Sequence, residues 1–393
     1  MDIKIFETFA GIGAQHKALQ NISKKHKNYN LKVENAGISE WYIHAIIAYA
    51  KIHFENEFKK ELENIKTTLS KKDILKLFQE NPYFVFSSDS KKPSKLIHVK
   101  ENILQELYAA NIVSKNYGSI DKITGNILDD DIDIFTYSFP CQAISLQGKQ
   151  GGLTKDSGTS SSLIWQILRI LEEMKKENKL PKVLLMENVK ALFSKKYIDT
   201  WNEVKIILDS LGYNTYDTTI NAIDKGSIQA RERVFAVSVR KDINRKFTFT
   251  NITKKTNKKI KDILENKVDE KYILNHLKEF LHDEFATKKS GIRSTILNGY
   301  TTFQSENILY SIDGYAPTCT ASGANSRLKI IDANNDLRYL TPKEFWQLMD
   351  FDIEDFNKVL PLSDSILYKL AGNSISVLVL EDIFLDIIEQ VLS

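Results

Sequence analysis

The sequence predicts an α/β protein: a doubly wound, mainly parallel sheet with helices on both faces, joined to a smaller, irregular second domain. Three observations carry the expectation. From Ile3 to Arg240, apolar β-rich runs alternate with helical patterns at the spacing that parallel strands and crossover helices require. After Arg240 the texture changes to polar, basic and short β-like pieces without that rhythm. A chain of 393 residues with 42% hydrophobic content is longer than one ordinary domain and can fill a large core.

Taken in order, "IKIFETF" (3–9) reads as a strand and "AGIGAQHKALQNI" as a glycine turn entering a helix, with Ala14, Ala18 and Ile22 four apart. "LKVENAGISEW" is a second strand running into Glu40, and "IHAIIAYAKIH" a second helix. Residues from about 54 to 116 read as a lysine-rich helical insertion, broken at "SSDSKKPS", with a solvated face. "DIDIFTYSFP" is a strand, "SSLIWQILRILEEMKKEN" an amphipathic helix, "KVLLMENV" a buried strand, "DTWNEVKIILDSLGY" a helix stopped at Gly212, and "VFAVSVR" a further strand. The first domain is expected to span 1–245 and the irregular one 246–340. A helical segment, 341–393, is expected to pack back on the first domain.

Composition excludes little but is informative. The 54 basic and 51 acidic residues nearly cancel, leaving +3, so a nucleic-acid surface must come from local segregation of charge. The two cysteines, Cys141 and Cys319, cannot form a disulfide framework and have no metal-ligand spacing, which favours a reducing, cytoplasmic setting. No signal-like segment and no apolar run of membrane-spanning length occurs.

Sheets of this kind bind ligands beyond the carboxyl ends of their strands, and the unusual residues fall there. Phe9, Gly11 and Gly13 form a turn that lets backbone approach a ligand and offers it a helix N-terminus. Glu40 closes the next strand, where an acid accepts hydrogen bonds from ribose hydroxyls, and Trp41 can lie against adenine. Singly, Glu40 reads as an exposed acid and Trp41 as core; together after the glycines they point to an adenosine-containing ligand. Pro140 ends the "IDIFTYSF" strand and presents Cys141 to the same edge, where Cys141 is otherwise a small apolar filler. Glu187 ends a buried strand, an expensive place for a carboxylate without a task. "QARER" sets Gln229, Arg231 and Arg233 at alternate positions, which in extended chain share one side. A nucleophile, an acid and guanidinium groups beside an adenosyl ligand suggest addition chemistry on a polar heterocycle.

In this order "FAGIGA", "FPCQ", "MENV", "QARER" and "AGNS" resemble the motifs of DNA cytosine-5 methyltransferases, from Phe9 to the terminal helix. "SFPCQ", "LLMENVKAL", "TASGANSR" and "GNSIS" resemble the mollicute enzymes that methylate CpG. The resemblance implies a Rossmann-like S-adenosylmethionine-dependent methyltransferase sheet with a target-recognition domain. It implies S-adenosyl-L-methionine as donor and S-adenosyl-L-homocysteine as product, with Phe9, Gly11, Gly13 and Pro140 on the methionine side, Glu40 at the ribose and Trp41 at adenine. Asn126 stands where relatives have an acid toward adenine, and Asn373 and Ser374 close the site. Cys141 is the implied nucleophile, Glu187 the N3 reader, Arg231 the O2-side group, and Gln229 and Arg233 pocket or phosphate supports. The cytosine must be flipped out of the duplex, with Gln142, Ser145 and the Phe303 stretch as DNA contacts and Ser322, Ala324, Asn325 and Arg327 as target readers. Without the family, Phe303 reads as a core residue. The partners implied are double-stranded DNA and a cognate restriction endonuclease, with monomeric action, no metal and no membrane. An RNA cytosine-5 methyltransferase, a catalytically silent DNA-binding relative and, more remotely, a nicotinamide-dependent oxidoreductase are the competing expectations.

Overall fold

The computed structural model describes residues 1–140, 160–250 and 252–393, and the chain divides into two compact units. The first comprises residues 1–220, 233–250 and 381–393, the second residues 221–232 and 251–380. This division differs from the expected boundaries. Gln229 to Glu232 of the "QARER" run and residues 341–380 belong to the second unit, where Gln229 and Trp346 bond, while Arg233 and residues 381–393 belong to the first.

In the first unit, β1 (Asp2–Thr8), α1 (Ala14–Lys25), β2 (Lys32–Ser39) and α2 (Ile43–His53) form the opening β-α-β-α pattern. The insertion supplies α3 (Glu55–Thr68), α4 (Lys71–Glu80) and α5 (Glu101–Val113). Next come β3 (Ile134–Tyr137), α6 (Ile164–Lys176), β4 (Val183–Val189), α7 (Ile198–Leu211), β5 (Tyr213–Asn221) and β6 (Glu232–Arg240). The six strands pair in the order β2-β1-β3-β4-β6-β5. β1 is parallel to β2 and β3, β3 is parallel to β4, and β6 is antiparallel to β4. The expected parallel core is therefore present, and β5, which the sequence analysis did not assign, forms its far edge. Phe6 stacks on Phe135 with ring centroids 5.4 Å apart, joining β1 to β3, and the apolar face of α6 (Ile167, Ile170, Leu171, Met174) is buried in the same cluster.

The insertion is more than a solvated face. Phe58, Ile65, Ile74, Phe78, Phe86, Leu104 and Leu107 form a core of their own with Ile43, Ile46 and Ile47 of α2, while its lysines lie outside. A capping box at Ser70 and Asp73 starts α4.

The second unit holds a mixed sheet, β11-β10-β9-β8-β7, from β7 (Ala286–Thr287), β8 (Arg293–Ile296), β9 (Ile308–Ser311), β10 (Lys329–Ile331) and β11 (Leu337–Tyr339). Three short helices follow, α8 (Pro342–Gln347), α9 (Ile353–Lys358) and α10 (Asp364–Gly372), and α11 (Val377–Ile387) runs into the first unit's terminal segment. Arg338, fully buried, joins Glu344 through two bonds of 2.9 Å and Asp332 through a third of 2.9 Å, so its charge is compensated. Among the described residues no helix is long and apolar enough to cross a membrane.

One polar cluster lies inside the first unit. Glu7 and Tyr49 are fully buried, and the Tyr49 hydroxyl donates to Glu7 Oε1 at 2.6 Å, with His16 Nδ1 3.7 Å from that oxygen. Burial pushes the Glu7 carboxyl up to about 7 and the His16 imidazole down to about 4. The fold thus favours a protonated Glu7, whose contribution is complete below the ordinary value of 4.5 and falls as pH rises to about 7. His16 contributes above 6.5 and loses that contribution as pH falls to about 4. Replacing Glu7 by Gln should remove the first loss. Denaturant midpoints measured across pH 4.5 to about 7 should show the parent declining against Glu7→Gln by about 2 to 3 kcal/mol, and parallel curves would contradict the assignment.

Candidate active site

Because β1 to β4 are parallel and in register at their ends (Thr8 beside Ser39 and Tyr137, Tyr137 beside Met186), the segments that leave them emerge along one edge. Neighbouring strands lie about 4.8 Å apart, so the turns after β2, β1, β3 and β4 form one continuous rim.

At the turn after β1, Phe9, Gly11 and Gly13 all have positive φ, at 54°, 57° and 76°. For Phe9 this left-handed backbone costs about 1 to 2 kcal/mol, offset where its N–H bonds Ser39 O at 2.8 Å. Glu40 fixes the turn: its Oε2 accepts the Gly11 N–H at 2.9 Å, and its Oε1 accepts the N–H groups of Trp41 and Tyr42 at 2.8 Å each. A Cβ built on Gly11 meets nothing within 4 Å, which marks an open cradle over the backbone. Open backbone at the start of α1, an acid at the end of β2 and a half-buried Trp41 fit a nucleoside-bearing ligand such as S-adenosyl-L-methionine.

Asn116, which the sequence reading did not single out, braces the Glu40 turn. Almost fully buried, it accepts the Glu40 N–H at 3.0 Å and the Gly118 N–H at 3.1 Å, and donates to Glu40 O at 3.1 Å. Residues 116–119 therefore run beside the end of β2, where Ser39 Oγ donates to Gly118 O. Asn126 does not belong here. It is exposed, in a short 3-10 turn whose Gly125 packs on Ile170 and Met174 of α6, and its carbonyl accepts Lys179, which lies between α6 and the start of β4. That is the amino edge of the sheet, so its expected adenine role is withdrawn.

At the turn after β3, Pro140 is half-buried, whereas Cys141, Gln142 and Ser145 lie outside the described residues. The approach to Cys141 is nevertheless fixed: buried Asn188 donates to Phe139 O at 3.0 Å, tying the end of β4 to the end of β3. Next to Asn188, Glu187 is buried and its Oε1 lies 3.2 Å from Arg233 Nε, where β6 begins opposite the end of β4. An acid held by a guanidinium at a strand end can read the amide-like edge of a pyrimidine and stabilise charge that develops on it.

The expectation that Gln229, Arg231 and Arg233 share one side is not met, because the backbone turns there. Arg231 N–H bonds Gln229 O at 3.0 Å, and β6 starts only at Glu232. Gln229, fully buried, donates to Leu348 O at 2.7 Å and accepts the Cys319 N–H at 2.8 Å. Arg231 donates to Cys319 O at 2.7 Å and Ser374 O at 2.8 Å. Both hold the second unit's loops. The guanidinium beside Glu187 is that of Arg233, which displaces Arg231 from the expected ring-side position.

Within the second unit, two expected segments meet: a Cβ on Gly372 would lie 2.4 Å from the Thr320 backbone, so the "AGNS" turn packs directly on the "TASGANSR" loop. Asn373 is exposed and Ser374 buried, its carbonyl taken by Arg231. In the loop Ser322 is exposed and Ala324 half-buried, while Asn325 donates to Thr318 O at 3.2 Å and so braces the loop itself. Arg327 is exposed, its guanidinium 5.5 Å from the Tyr368 ring centroid. Phe303 is not core: it is 72% exposed, and its N–H bonds Thr301 Oγ1, which buried Asn307 holds. Cys319 is buried, and burial pushes its thiol well above the ordinary thiol range, away from nucleophilic chemistry.

The family model for C-5 cytosine-specific DNA methylases matches residues 91–389. The chain is 39% identical over 391 residues to the orphan methyltransferase M.SssI of Spiroplasma monobiae, covering 97% of this chain and 96% of that one. It is 35% identical over 398 residues to the Type II methyltransferase M2.ScrFI of Lactococcus lactis subsp. cremoris, covering 99% of each. Its fold is similar to that of the S. pombe Dnmt2 methyltransferase, with a TM-score of 0.58, 18% identity and 98% coverage of both chains.

Asn188→Ala should leave the Phe139 carbonyl without this donor and lower stability by about 1 to 3 kcal/mol in urea unfolding. A midpoint equal to the parent's would show that the tie contributes nothing.

Proposed function

The chain belongs to the C-5 cytosine-specific DNA methylases, which transfer a methyl group from S-adenosyl-L-methionine to carbon 5 of cytosine in DNA, and from that premise we propose how its own residues divide the work. S-adenosyl-L-methionine supplies an electrophilic methyl group. Phe9, Gly11 and Gly13 hold its methionine side with Pro140, Glu40 takes the ribose hydroxyls, and Trp41 covers the adenine, with Asn116 supporting Glu40.

Carbon 5 of cytosine is a weak nucleophile until something adds at carbon 6. Cys141 is the thiolate that adds there. As its sulfur bonds carbon 6, the carbon 5–carbon 6 pair of electrons becomes available at carbon 5 and takes the methyl group. Loss of the carbon 5 proton and expulsion of the thiolate then restore the ring. Glu187 donates to N3 and contacts the exocyclic amine, and Arg233 stabilises Glu187 and the O2 side as electron density moves into the ring. Gln229 and Arg231 act through the loops they hold.

The observation that carries this reading is the Glu187–Arg233 pair at the rim beside the strand that delivers Cys141. It is supported by the burial of Cys319, which leaves Cys141 as the reactive thiol.

We place target reading in the second unit, at Ser322, Ala324 and Arg327, with CpG as the target. Arginine to guanine O6 and N7 gives about 1 to 3 kcal/mol of discrimination. Gln142, Ser145 and Phe303 contact the DNA around the extruded base, Phe303 as a wedge on a braced turn. The partner is double-stranded DNA, engaged by one copy of the chain in the cytoplasm. A cognate restriction endonuclease accompanies it only if it works as the Type II relative's name describes.

Tritium from labelled S-adenosyl-L-methionine should enter duplex DNA and not RNA, bisulfite sequencing should show protected cytosines at CpG, and Cys141→Ala should lose all signal. A 5-fluorocytosine duplex should become covalently attached at Cys141 in the presence of the donor; no adduct would overturn the nucleophile. Phe303→Ala should weaken duplex methylation by about tenfold while sparing a target cytosine already mispaired, since unstacking costs a few kcal/mol less there. Equal losses on both substrates would remove the wedge.

A further inference from the structure

The turn that carries Gly11 and Gly13 rests on a buried set of side chains that the methyl transfer itself does not use. His53, at the last position of α2, places Nε2 3.0 Å from Ile12 O, between the two glycines. A carbonyl only accepts, so that nitrogen carries the proton. A Cβ at Gly13 would lie 2.3 Å from His53 Nε2 and 2.6 Å from Tyr49 Cε2, so the backbone of the turn lies directly on these two rings. Behind them, Tyr49 donates to Glu7 at 2.6 Å, and His16, from the first turn of α1, packs its ring 4.8 Å from that of His53. Three elements that flank the turn contribute to this set: β1 sends Glu7, α1 sends His16, and α2 sends both Tyr49 and His53. Packing alone would be met by apolar rings without the cost of burying the Glu7 acid and the His16 imidazole and half-burying His53.

We infer that His53 is a positioning residue for the methyl donor: by donating to the Ile12 carbonyl, with Tyr49 and Glu7 holding it from behind, it fixes the height and direction of the Gly11–Gly13 backbone before the donor arrives. The inference rests on the assignment of S-adenosyl-L-methionine to this turn. His53 touches neither donor nor cytosine, so its loss is felt in donor binding rather than in chemistry.

The test uses the full-length enzyme with steady-state methylation of duplex DNA and calorimetric binding of S-adenosyl-L-homocysteine. His53→Ala should raise the donor KM and weaken product binding by about tenfold, with kcat at saturating donor and the DNA KM within about twofold of the parent. His53→Gln, whose amide can donate to the same carbonyl, should recover most of that loss. Tyr49→Phe, which keeps the ring and removes the bond to Glu7, should give a smaller rise in donor KM and serves where His53→Ala folds poorly. An unchanged donor KM in both His53→Ala and Tyr49→Phe overturns the inference, as does a matched fall in kcat, donor affinity and Tm that Gln fails to rescue. Glu40→Gln separates the two layers. If it weakens donor binding while His53→Ala does not, only the positioning role fails; if it leaves donor binding intact, the placement of the donor at this turn fails as well.

Discussion

The carboxylate of Glu40 gathers three backbone amides from two turns, and the rim of the sheet depends on it. Gly11 belongs to the turn after β1, Trp41 and Tyr42 to the turn after β2, and one acid bonds all three. Without it, Gly11, between left-handed Phe9 and Gly13, would lose its bond to the residue that follows β2, leaving the Phe9 N–H to Ser39 O bond. The arrangement makes the ligand cradle from main chain, whose groups cannot rotate away. Side chains then decide only which ligand is held, and a nucleoside with hydroxyls near an acid is the natural occupant.

A second constraint operates two strands away. The end of β4 carries Glu187 and Asn188 side by side, and successive residues of a strand face opposite ways. Asn188 turns to β3 and holds Phe139 O; Glu187 turns to β6 and meets Arg233. One dipeptide thereby couples the segment leading to Cys141 with the acid and guanidinium expected at the ring. A charge pair this buried is held at a desolvation cost that the attraction between the partners must offset.

Much of this was legible in the sequence, and the parts that were not have physical reasons. β1, β3 and β4 announce themselves as apolar runs because they lie in the sheet interior, β2 at one edge is buried only in its second half, and Gly11, Gly13, Glu40 and Glu187 stand where such strands end. β5 was missed because its exposed and half-buried residues, such as Asn214, Thr215, Asp217 and Thr218, give no apolar alternation at a sheet edge. Asn126 was placed by motif, yet the chain from Tyr117 to Asp131 crosses from the carboxyl to the amino edge. The residue that meets Glu40, Asn116, lies ten positions earlier in an unremarkable run. In "QARER", alternation predicts one face only if the chain is extended, and the bond from Arg231 N–H to Gln229 O breaks that condition. Phe303 looked apolar enough for a core, but Thr301 and Asn307 satisfy the turn's polar groups and leave the ring outside.

The two cysteines show how environment divides identical side chains. Cys319 sits in the second unit with its N–H held by Gln229 and its carbonyl by Arg231, and its sulfur is enclosed. The nearby guanidinium favours a thiolate, but desolvation outweighs it and the thiol stays protonated. There the residue serves as a backbone station held by Gln229 and Arg231, and its sulfur is packing. Pro140 follows β3 on the rim that also holds Glu187 and Arg233, and Cys141, the proposed nucleophile, is the next residue in the sequence. A sulfur that must bond a carbon of an incoming base has to be ionised and reachable at once, and the enclosure of Cys319 denies it both. The chemistry of the site is thus decided by where the sheet ends more than by which residue type stands there.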